Sequence, residues 1–154
     1  MAILETAILM GDEYLIEKQF YSTEDVLDKN IRHALLRTIP NLANVAFGEA
    51  IQGFSIGDYA VVIVMHTIEV PNEEKDSVST DKRQLLMYSI VDKESDEDVI
   101  KKVMENALFQ FTNRFSWYDI MERKTKKFKK FTGRLTKIFG DLVLKSEDRF
   151  KSIF

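Results

Sequence analysis

Residues 59 to 70 read YAVVIVMHTIEV, so nearly apolar throughout that an extended segment here must be covered on both of its faces. A chain holding such a segment folds in layers. Residues 3 to 10, ILETAILM, end in four consecutive apolar positions and read the same way. GDE at 11 to 13 supplies turn chemistry, after which Tyr14, Ile16 and Phe20 alternate with Glu17 and Gln19. This predicts a hairpin of one interior strand and one half-exposed neighbour.

The period then changes. Ser22 and Asp25 have the spacing of a helix cap, and Leu27, Ile31, Ala34, Leu35 and Thr38 recur at helical intervals until Pro40, which predicts a helix over about 23 to 39. Alternation returns from Val45 to Phe54, where Gly48 and Gly53 imply twist or close approach of another backbone. A turn through Gly57 and Asp58 leads into the apolar run at 59 to 70. The stretch PNEEKDSVSTDKR at 71 to 83 is polar and free of aromatics, and reads as a long mobile loop before a strand at QLLMYSIVD. Beyond it, Ile100, Val103, Met104, Ala107, Leu108, Phe111 and Phe115 form one helical stripe behind the acidic turn 96 to 98. A second helical pattern joins Met121, Phe128, Phe131, Leu135, Ile138 and Leu142, with Gly140 near its end. A short amphipathic tail at 146 to 154 carries Phe150, Ile153 and Phe154 on one side. The fold class predicted is α+β, in one domain spanning 1 to 154.

Composition bounds the chemistry. At 154 residues and 45% hydrophobic, the chain can bury roughly two-thirds of the surface exposed by its unfolded form. It has no cysteine, which excludes thiolate ligands and a cysteine nucleophile and makes a reducing, cytoplasmic setting the simplest expectation. The opening MAILETAILM is interrupted by Glu5 and led by no basic residue, so it does not read as a signal peptide.

The element order resembles the longin, or SNARE-like, superfamily. The residues carrying the likeness are the hairpin AILMGDEYLIEKQF, the pair FGEAIQGFSIGDYAVVIVM and the closing helices from Ser95 to Gly140. The resemblance implies a five-stranded antiparallel sheet sandwiched by helices, in the order β-β-α-β-β-β-α-α. It further implies a non-enzymatic module that binds a small GTPase or another longin- or roadblock-like chain in trafficking or GTPase regulation.

No alternative chemistry assembles. There is no G-x-x-x-x-G-K-[ST], and Gly48, Gly53 and Gly57 lie on and after a strand with no helix opening behind them. His33 and His66 stand in different elements; His66, in an apolar strand, reads as a structural histidine whose offset from Glu69 points the two to opposite faces. No catalytic, metal or cofactor residue is expected.

The distinctive stretch is ERKTKKFKKFTGRLTKIFGD at 122 to 141. It holds eight of the 22 basic residues and two of the 25 acidic ones, net +6, leaving 14 against 23, net −9, elsewhere. On a helix, Phe128, Phe131, Leu135 and Ile138 fall on one side, each worth about 1.5 to 3 kcal/mol if buried. The other side carries Arg123, Lys126, Lys127, Lys129, Lys130 and Lys137. That basic face is either a solvated back, a docking surface for an acidic partner, or a weak contact for an anionic membrane. No nucleic-acid partner is expected, given the acidity of the remainder and the lack of an aromatic left to stack. The tail residues Phe150, Ile153 and Phe154 form a second candidate docking element, for a partner or for a second copy of the chain.

Overall fold

The hairpin expected at the start forms, and it sets the sheet. In the computed structural model, which describes residues 3–11, 13–20, 53–56, 59–71 and 80–143, β1 (Ile3–Met10) turns through Gly11 into β2 (Glu13–Gln19). Then come β3 (Gly53–Ile56), β4 (Tyr59–Pro71) and β5 (Thr80–Asp92). The sheet order is β2-β1-β5-β4-β3, with every pairing antiparallel. All of β1 is buried, as its unbroken apolar end requires of an interior strand.

The pleat sorts the strands into two apolar faces. Leu85, Met87 and Val91 of β5 meet Ala60, Val62, Val64 and Ile8 on the first face, while Leu86, Tyr88 and Ile90 meet Leu9, Val61 and Ile63 on the second. A register step between Ile3 and Glu5 makes Leu4 an extra residue in β1, so Leu4 and Glu5 share the second face. Gly53 is needed where it stands: its φ is 150°, and a Cβ there would run into the carbonyl oxygen of Val61. Close approach of another backbone, anticipated for this strand, is therefore present at Gly53.

The helical layer covers the first face. Helix α1 (Glu97–Arg114) is capped by Asp96, whose side chain accepts from the amides of Asp98 and Val99, with Glu97 and Asp98 in its first turn. Ile100, Met104, Ala107, Leu108 and Phe111 are its buried stripe. Three further helical segments follow: α2 (Trp117–Met121), α3 (Thr125–Phe128) and α4 (Phe131–Phe139), closed by a 3-10 turn at Gly140–Val143. Phe128, Phe131, Leu135 and Phe139 are all buried against the sheet and α1. Gly140 ends α4 with φ 50°.

The expected architecture, a five-stranded sheet sandwiched by helices in the order β-β-α-β-β-β-α-α, needs correction. Among the described residues four strands have the length of full strands, with 8, 7, 13 and 13 residues, whereas β3 is a strip of 4 residues paired only with the start of β4. Alternation in the sequence says which way side chains face in a strand; it does not say how far a neighbour pairs with it. The described helices all pack on the first face, and among the described residues the second apolar cluster contains strand residues alone. The second closing pattern is three short segments instead of one helix. Arg123 takes φ 51°, which ends any helix passing through it. Further on, the Lys129 carbonyl accepts both the Thr132 amide and the Thr132 hydroxyl, a 3-10 contact that replaces the α-helical one.

Two smaller readings also change. The stretch 71 to 83 is partly strand, since Pro71 pairs with Thr80 and the ladder continues through Ile68 and Arg83. Backbone pairing there is indifferent to the polarity that suggested a loop. His66 is exposed and not a structural core histidine, because β1 stops pairing at Leu85, opposite His66, and the β4–β5 ribbon outruns the sheet. The helix expected at 23 to 39, the strand residues 45 to 52 and the tail at 146 to 154 lie outside the described residues.

Candidate functional site: the outer side of the helical layer

The corner between α1 and α3 is built around one carboxylate. Ser116 caps α2 by accepting from the Asp119 amide at 3.2 Å, and Asp119, 7% exposed, receives Lys127 at 2.9 Å and Lys124 at 3.3 Å. The left-handed turn at Arg123 is what brings both lysines back onto the same acid. Arg123 itself is ion-paired with Glu13 of β2, joining the corner to the sheet.

Those lysines hold the Asp119 carboxyl down from 3.8 to about 2, first through the Lys127 hydrogen bond and then through Lys124, against the opposing effect of burial. A lowered carboxylate stabilises the fold above its unfolded pKa and ceases to do so as pH falls through the folded one. The contribution is therefore complete above about pH 4 and lost near pH 2. Asp119→Asn is expected to be less stable than the parent at neutral pH and to lose less stability between pH 4 and 2. Chemical denaturation across that range measures it, and parallel acid limbs for the two proteins would contradict the assignment.

The corner fixes two aromatic side chains in the open. Trp117 is 38% and Tyr118 51% exposed, their rings meet edge to face at 5.9 Å, and the Lys124 ammonium lies 4.8 Å from the Tyr118 ring. The helical patterns read from the sequence, ending at Phe115 and resuming at Met121, leave this pair out. The signal was the S-x-x-D spacing of Ser116 and Asp119, which starts a helix at the tryptophan.

The predicted basic face divides in two. Arg123 and Lys127 are engaged with Glu13 and Asp119. Lys126, Lys129, Lys130 and Lys137 are exposed and, among the described residues, make no ion pair. At about 3.6 residues per turn, Lys126, Lys130, Gly133 and Lys137 line the side of α3–α4 opposite Phe128, Phe131 and Leu135. Arg134, beside Gly133, donates through Nε to the Gln110 side chain at 2.9 Å and so fastens α4 alongside α1. Phe109, the residue before Gln110, is 60% exposed. The other predicted element, Phe150, Ile153 and Phe154, lies outside the described residues.

Among the described residues no group of three His, Cys, Asp or Glu side chains is placed to hold a metal ion, and no helix is long and apolar enough to cross a membrane. Neither a protein-family model nor a curated protein matches this chain.

Proposed function

We propose that this chain is a non-enzymatic docking module of the longin kind, working in the cytoplasm and binding a small GTPase or a second longin- or roadblock-like chain. The observation that supports it is the Trp117–Tyr118 pair. Two aromatic side chains are open to solvent on a short helix whose cap, buried acid and two lysines leave it little freedom. Tryptophan and tyrosine are the side chains that most often dominate a protein interface, and a pair held in place before binding loses little entropy on contact. The engaged lysines serve the mechanism by fixing α2 to the turn and helix that follow it, and the aromatic faces supply the contact area.

The test is a titration of the whole chain against a panel of small GTPases, each in its GDP and GTP-analogue states, together with longin- and roadblock-like chains. At least one partner is expected to bind, and a Trp117→Ala, Tyr118→Ala double variant to weaken that binding about thirtyfold. If no member of the panel binds in either state, the reading is wrong.

A further inference from the structure

We infer that the outward side of α3–α4, with Lys126, Lys130 and Lys137 set around Gly133 and Lys129 at its flank, attaches to an anionic lipid bilayer. The inference goes beyond the docking role of Trp117 and Tyr118 and uses a different set of residues.

Four observations converge on it. The first is that these lysines have no task in the fold: they are exposed and, among the described residues, unpaired, whereas Lys124, Lys127, Arg123 and Arg134 are each committed to a named partner. The second is Gly133. Glycine inside a helix is among the least favourable residues, yet a Cβ at this position would meet nothing within 4 Å among the described residues, and its φ is not among the positive ones. Nothing among the described residues asks for a glycine here. On the outward side, the missing side chain leaves a shallow floor between Lys130 and Lys137 over which a flat surface can come close.

The third observation is the kind of cation. The four cations of α3–α4 left unpaired among the described residues are all lysines, while Arg123 before α3 and Arg134 within α4 are used internally. Lysine is depleted from protein interfaces, which prefer the fixed fork of arginine; a plane of anionic headgroups attracts a flexible point charge without requiring shape. With net −9 on the rest of the chain, an anionic plane repels other approaches and turns this side toward itself. The fourth is Phe109. The Gln110–Arg134 bond ties α1 to α4, and Phe109, 60% exposed, lies on the side of α1 opposite the buried Met104 and Phe111, where it can enter the headgroup layer.

Each lysine near such a surface strengthens adsorption about fivefold, so removing three charges should weaken it about a hundredfold. Sedimentation of the full chain with vesicles tests this, using phosphatidylcholine alone and phosphatidylcholine with phosphatidylserine, at low and high ionic strength. The chain is expected to sediment only with the phosphatidylserine vesicles, to be released by salt, and to lose about a hundredfold in the Lys126→Gln, Lys130→Gln, Lys137→Gln variant at an unchanged melting temperature. Trp117→Ala, Tyr118→Ala should sediment like the parent, which separates this result from the fate of the docking reading. The inference is overturned if the parent stays in the supernatant with phosphatidylserine vesicles at low salt, or if the triple variant binds as well as the parent. It is equally overturned if the triple substitution weakens a protein partner while neither form binds vesicles, because the side would then belong to an acidic protein.

Discussion

Phe111→Ala is expected to remove about 3 to 5 kcal/mol of stability, most of what a domain of this size has to spare. Phe111 is fully buried and sits where the helical segments meet: its ring lies 5.0 Å from Phe115, 5.2 Å from Phe128 and 5.5 Å from Phe131. Truncation removes the apolar area of one ring and its contacts with three others, and leaves a space that neither the sheet nor two separate helices can close by a small shift. The damage spreads because α2, α3 and α4 are too short to persist without tertiary packing. Urea unfolding gives the value directly. A loss below about 1 kcal/mol would mean that these rings are not packed as described.

The second large effect is expected at Tyr88→Phe, which removes one oxygen from the opposite face of the sheet. The Tyr88 hydroxyl donates to Glu5 Oε1 at 2.8 Å, and both residues are fully buried. Tyr14 approaches the same hydroxyl at 3.3 Å, with its ring edge-on to that of Tyr88. Taking one donor from a buried carboxyl costs about 1 to 3 kcal/mol, and the ring itself stays, so little of the effect comes from lost packing. Tyr14→Phe, at a longer and only partly buried contact, should cost less. Combined with Glu5→Gln, the Tyr88 substitution is expected to cost clearly less than the two single losses added together, since both act on one bond. A Tyr88→Phe protein within about 0.5 kcal/mol of the parent would show that the bond does not matter to the fold.

What could be read from residues alone follows from what spacing encodes. The seam of Phe128, Phe131 and Leu135 was legible because helical periodicity survives the short breaks between segments: Lys129 and Lys130 keep helical backbone angles even where the hydrogen bonding shifts. The exposed lysines were legible for the same reason. What spacing does not encode is a contact between distant parts of the chain. Glu5 looked like a flaw in an apolar run, and only the pairing of β1 with β5 places it 2.8 Å from a tyrosine 83 residues away. Arg123 and Lys127 looked equivalent to their neighbours until the left-handed turn at Arg123 brought them to Glu13 and Asp119. Arginine is not a residue that announces such a turn.

The claim beneath both proposals is that the phenylalanine seam of α3–α4 faces the sheet and turns its lysines, with Trp117 and Tyr118, toward solvent. Hydroxyl-radical footprinting of the intact protein, read residue by residue, measures this most directly. Phe109, Trp117 and Tyr118, at 60%, 38% and 51% exposure, should oxidise readily, while Phe128, Phe131 and Phe139, at 0%, 1% and 1%, stay protected until the protein unfolds. Oxidation of Phe128 and Phe131 at the rate of Phe109 in the folded protein would contradict the account.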